Sequence, residues 1–112
     1  MSPCSPIRPP SADVLGAMAD PTRRLILNRL AEAGEATATT LAPDLKVSRQ
    51  AVVKHLGVLG EAGLVRSRRQ GREVHFRVHP EPLHQTAGWL HDLAVGWEVR
   101  LRKIKAVAEA GS

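Results

Sequence analysis

What the sequence is short of narrows its reading first. Its 112 residues hold one cysteine, Cys4, so no disulfide can close within the chain and nothing calls for an oxidising compartment. No apolar run approaches the roughly 20 residues that a membrane helix needs. The N-terminus lacks the apolar stretch of a secretory signal, so a cytoplasmic protein without membrane contact is the expectation. There is no glycine-rich phosphate cradle, and Ser, His and Asp never fall at a spacing that would activate a nucleophile. No enzyme activity and no cofactor are therefore expected. Acid is scarce relative to base: Lys and Arg number 16 against 11 Asp and Glu, a formal net charge of +5. The resulting pI near 10.4 suits a domain that faces a polyanion. A chain of this length makes one domain with a single modest core.

The most informative stretch present is Val47–Leu59. Ser48 is a good N-cap, because its hydroxyl can accept from a free backbone N–H of the first turn. Val52, Leu56 and Leu59 recur at i, i+4 and i+7 as an apolar stripe. Gln50, Lys54, Gly57 and Glu61 fall on the opposite side, and Arg49, Gln50 and Val53 crowd the first turns. Arg pairs bidentately with guanine, Gln with adenine, and Val packs on a thymine methyl. A helix offering these groups from its N-terminal turns has what a major-groove recognition helix needs. A plain surface helix would look the same in isolation, so the context has to decide.

That context is consistent. Met1–Pro10 carries Pro3, Pro6, Pro9 and Pro10 and reads as a disordered or extended tail, leaving 11–112 as the folded domain. Ser11 or Asp13 opens a short helix with Val14, Leu15 and Met18. Asp20 and Pro21 start the next helix, which runs to about Ala33 and stops at Gly34. Ile26, Leu27, Leu30 and Ala31 form its inner face, and Arg23, Arg24 and Arg29 its solvated outside. Glu35–Ala38 is a short extended link. Thr39 or Thr40 then caps a helix from Leu41 to Leu45, because Pro43 belongs in a first turn. Lys46 and Val47 turn tightly into the helix after Ser48. Short helix, tight turn and longer polar-faced helix make a helix-turn-helix.

Beyond Gly60 and Gly63 the period changes to two. Leu64–Arg69 and Glu73–His79 read as strands, the second with Val74, Phe76 and Val78 on one face, joined at Gln70-Gly71-Arg72. Arg66, Arg68, Arg69, Arg72 and Arg77 crowd this hairpin, with Glu73 as the nearby acid. An Arg-tipped hairpin directly after a helix-turn-helix is a wing that reaches phosphate and the minor groove. The fold expected is mainly α (α+β): a winged helix-turn-helix with a two-stranded wing and a long terminal helix.

That last helix starts at Pro80 and Pro82. Along it, Leu83, Ala87, Leu90, Ala94, Trp97, Leu101, Ile104 and Ala108 alternate steps of four and three, the seam of a helix that pairs with another. A monomer of this size could hardly bury it. With Val14, Leu15 and Met18 it is expected to form a homodimer interface.

The order Ala19-Asp20-Pro21-Thr22-Arg23-Arg24, then Val47 to Leu56, then Glu61-Ala62-Gly63-Leu64-Val65 and Gly71-Arg72, resembles the ArsR-type winged-helix repressors. The resemblance spans about Val14 to Ala108. It implies a homodimer on a pseudo-palindromic double-stranded DNA operator, acting as a repressor. Carried over by position, it implies DNA contacts for Ser48, Arg49, Gln50, Val53, Lys54 and His55, and wing contacts for Arg68, Arg69 and Arg72. Metal-sensing members carry a Cys-x-Cys pair in the helix before the recognition helix. Here that region reads Thr37-Ala38-Thr39-Thr40-Leu41-Ala42, and His84 and His91 on the terminal helix do not match the family's other metal spacing, so no metal site is expected. His55 is expected half-buried or facing phosphate, and His75 and His79 outward. Two alternatives stay open: a winged helix that assembles with proteins without DNA, against which the Arg-rich wing argues, and a regulator that takes a small apolar ligand beside Trp89 or Trp97. The operator and any inducer are not legible.

Overall fold

The computed structural model describes residues 11–111, so the expected tail and Cys4 lie outside the described residues. In chain order the elements are α1 (Ser11–Met18), α2 (Pro21–Ala33), α3 (Ala38–Leu45), α4 (Arg49–Glu61), β1 (Val65–Gln70), β2 (Glu73–Val78) and α5 (Glu81–Ala110). This is the winged helix-turn-helix order, with a long helix appended.

Local chemistry sets the boundaries. The Asp20 carboxylate accepts from the backbone N–H of Thr22 at 2.7 Å and of Arg23 at 3.2 Å, capping α2 with Pro21 in its first position. The Arg23 N–H is the main reason that this carboxyl is held below its ordinary pKa. At the other end Gly34 takes a φ of 82°, a backbone that side chains disfavour. Arg23 and Arg24 are not simply solvated, as expected, but close the end of α1. The Arg23 guanidinium donates to the carbonyls of Ala17 and Gly16, and Arg24 donates to that of Met18. They thereby satisfy carbonyls that a helix C-terminus leaves open.

Helix α3 starts earlier than expected. Its N-cap is Thr37, which accepts from the Thr40 N–H, and Pro43 lies inside the helix rather than in its first turn. The helix is short and Pro43 is on its exposed side, so one missing backbone bond is tolerated. Lys46 follows in the left-handed conformation and turns the chain into α4.

The core is one cluster. Ile26 and Leu30 of α2, Leu41 and Leu45 of α3, Val52, Leu56 and Leu59 of α4, and Leu64 and Val65 at the start of the hairpin close on each other. Ala31, expected inward, is exposed. Val14 belongs to this core at 2% exposure, which corrects its place in the expected dimer interface: its side chain is already covered by its own chain. Met18 and Leu83 also pack partly against the core, whereas Leu15 faces outward.

The strands pair antiparallel. Val65, Ser67 and Arg69 face Val78, Phe76 and Val74 on one side, and Arg66 and Arg68 face Arg77 and His75 on the other. The turn is two residues, Gly71 and Arg72, with positive φ at Gly71 only, as a type II′ hairpin requires. Ala36, expected only in an extended link, exchanges two backbone bonds with Phe76 at 3.1 and 2.8 Å. A third strand stub thus fastens the wing to the α2–α3 connection.

Helix α5 outruns this body. Its 30 residues span about 45 Å. The chain measures 70 × 35 × 21 Å with a radius of gyration of 19.7 Å, against about 13 Å for a compact chain of this length. The first turns of α5 pack on α1 and the core, where the Thr86 hydroxyl donates to the Pro82 carbonyl at 2.8 Å. Further on, Leu90, Trp97, Leu101 and Ile104 are exposed, Leu101 and Ile104 each at 64%.

Candidate nucleic-acid interface

The burial of Val52, Leu56 and Leu59 fixes how α4 is rotated, and therefore which residues it presents. Ser48 accepts from the Ala51 N–H at 3.0 Å and starts the helix at Arg49. Arg49, Gln50, Val53 and Lys54 come out exposed, together with the Ser48 cap, and His55 is half-buried. The N-terminal end of a helix carries a partial positive charge and free N–H groups, which suit an anion.

Two other elements converge on the same end. The Arg49 Nε donates to the Thr39 hydroxyl of α3 at 3.1 Å, so the guanidinium is steered before any ligand arrives. An open cleft of about 240 Å³ runs from there to the wing, lined in part by Thr39, Arg49, Val53, Arg72, Glu73, Val74 and Phe76. Arg49 and Val53 of the helix and Arg72 of the hairpin thus face one space. Arg69 is on the same side of the ribbon as Val74, and neither Arg69 nor Arg72 enters an ion pair among the described residues.

Arg68 differs. It projects from the other side of the ribbon, where its Nε and Nη2 donate to the two oxygens of Glu35 at 2.9 and 2.8 Å. This bidentate bond is the main cause of a lowered Glu35 pKa and a raised Arg68 pKa. Glu73 is therefore not the hairpin's sole nearby acid. Glu35 had no local signal, because it lies 33 positions before Arg68 and only the Ala36 bridge delivers it to the wing. His75 and His79, expected outward, are partly covered. His75 lies 3.3 Å from Glu73 and 3.8 Å from Glu35, and His79 is 3.1 Å from Arg66.

Among the described residues no three His, Cys, Asp or Glu side chains gather where a metal ion could sit. His84 and His91 are both exposed on α5. Among the described residues no helix is long and apolar enough to cross a membrane.

Known proteins agree with this geometry. A helix-turn-helix domain family matches residues 18–68. The arsenical resistance operon repressor of Escherichia coli (strain K12) is 33% identical over 90 residues, covering 80% of this chain and 74% of that protein. A solved ArsR-like transcriptional regulator from Rhodococcus sp. RHA1 is 42% identical and superposes with a TM-score of 0.83, covering 90% of this chain and 92% of the other. The chain is an ArsR-type helix-turn-helix transcriptional regulator. A homodimeric winged helix-turn-helix DNA-binding domain from Mycobacterium bovis is 27% identical with a TM-score of 0.62, covering 76% of this regulator and 78% of that chain. In this regulator α3 and α4 are the helix-turn-helix, β1 and β2 the wing, and α5 the appended helix.

Proposed function

We propose that this regulator represses transcription as a homodimer, each protomer laying α4 in the major groove of one half of a pseudo-palindromic operator. Arg49 and Gln50 read bases, Val53 packs against a thymine methyl or sugar, and Ser48, Lys54 and His55 lie against the backbone. Arg69 and Arg72 meet phosphates beside the site. The observation that carries this reading is the shared cleft, in which the steered Arg49 and Val53 open toward Arg72 across an open gap. Arg is suited to both tasks, since its planar fork matches guanine and phosphate alike.

The dimer half of the reading rests on α5. Leaving Leu90, Trp97, Leu101 and Ile104 in water forfeits roughly 1.5–3 kcal/mol for each large side chain. A second α5, with Leu15 and the small Ala87 and Ala94 allowing close approach, covers them and generates a two-fold axis. Two recognition helices about one DNA turn apart, roughly 34–36 Å, then meet successive major grooves. A cytoplasmic location follows from this role. A mobility shift of fragments of the host genome, run at increasing salt, tests the proposal. Retention of a small set of fragments at salt that releases the bulk is expected, and equal release of all fragments would overturn it.

A further inference from the structure

We infer that Glu35 is an intramolecular competitor for DNA phosphate, which occupies Arg68 and so limits how strongly the wing grips DNA of any sequence. This rests on the DNA-binding reading above and adds to it a residue outside the helix-turn-helix contacts. The carboxylate holds Arg68 through both oxygens at 2.8 and 2.9 Å, the fork geometry in which Arg takes a phosphate. It is also delivered without much freedom. Gly34 before it is set by the α2 C-cap, and Ala36 after it is bonded to Phe76 in both directions. The backbone of Glu35 is thus already fixed, and forming the pair costs side-chain entropy alone, which lets it compete although Arg68 is half exposed.

The surroundings make the single carboxylate consequential. The same face of the ribbon carries Arg66 directly opposite Arg77, and Arg68 directly opposite His75. A shallow cleft of about 210 Å³ gathers Glu35 with those four cationic or titratable groups. Like charges paired across a ribbon repel, and Glu35 sits among them against Arg68, while Glu73 lies 3.3 Å from His75. The carboxylate there neutralises one charge of the wing.

The test is the salt dependence of binding to a duplex of arbitrary sequence, using the full chain. Glu35→Gln should steepen the slope of log K against log salt by roughly one unit and tighten binding up to about tenfold near 0.1 M salt, since one more phosphate contact forms. Glu35→Asp, which keeps the charge but shortens the reach, should show the same gain at reduced size and carries the test if the Gln variant fails to fold. In an Arg68→Gln background the gain should vanish. Parent-like slopes in both Glu35 variants overturn the inference, as do weaker binding or a gain that persists without Arg68. A parent that binds no DNA at any salt overturns the DNA reading itself, and this inference with it.

Discussion

Helices α4 and α5 carry the same kind of apolar spacing and meet opposite fates. In α4, Val52, Leu56 and Leu59 are buried by α2, α3 and the start of the hairpin. In α5, Trp97, Leu101 and Ile104 repeat at a similar interval and stay 56–64% exposed. Period alone tells that a helix has an apolar side, and chain length and topology decide who covers it. Helix α4 lies in the middle of the chain with partners before and after it. Helix α5 runs past the elements described before it, and in the dimer proposed above a second α5 covers its apolar side. One helix consequently owes its orientation to the core and leaves its polar side exposed, while the other keeps its apolar side exposed.

That contrast can be broken from either side. Leu101→Glu should have the largest effect: a charge in the seam is left unpaired on burial, so the dimer separates and operator binding is lost, although the residue is remote from α4. Sedimentation equilibrium and mobility shift read both, and a dimeric variant that still binds would remove α5 as the interface. Leu56→Ala should act in the opposite way. It should cost about 2–5 kcal/mol in denaturant unfolding through cavity formation within one protomer, without selectively separating folded dimers.

Smaller effects sharpen the DNA side. Arg49→Ala should weaken operator binding by about 1–3 kcal/mol and relax preference at one position in each half-site. Thr39→Val, which removes the acceptor for the Arg49 Nε, should relax the same position to a lesser degree, and a change elsewhere in the site would separate the two residues. Replacing Arg69 and Arg72 by Gln should weaken operator and random DNA alike and flatten the salt slope by roughly one unit per lost contact. An unchanged slope would exclude them as phosphate ligands.

The least effect concerns the joint between α1 and α2. The Asp20 carboxyl is held below its ordinary pKa by backbone donors in the folded chain. Its contribution to stability is thus fully present above the ordinary carboxylate value and fades as pH falls through the lowered one. Thermal melts of the parent should therefore decline more steeply on acidification than those of Asp20→Asn, which keeps an acceptor without the titration. Parallel curves would show that this cap adds nothing to acid sensitivity.

Much of this was legible because the signals are local. Asp20-Pro21 with Gly34 bounds α2 and Ser48 opens α4, since caps and stops act within a turn of themselves. Alternation after Gly63 marked the wing and the four-three spacing marked α5. What escaped depends on distant partners. The preference of proline for a first turn points to Thr39 or Thr40 as the cap of α3, whereas this short helix is capped by Thr37 and holds Pro43 in its interior. The spacing of Val14 marks an apolar face but not its partner, which is the core of its own chain. Glu35 was invisible because its partner Arg68 is 33 positions away and arrives only through the Ala36 bridge. The exposed face of α4 could be read, but the Thr39 contact that steers Arg49 could not, for the same reason.

Selection of bound duplexes from a random pool tests the central claim most directly, because it reads α4 and α5 together. The expected result is two inverted copies of one short half-site, centred about one helical turn apart at 10–10.5 base pairs or a multiple of it. Enrichment of a single unrepeated site, or no enrichment over the starting pool, would contradict a regulator whose two recognition helices are joined through α5.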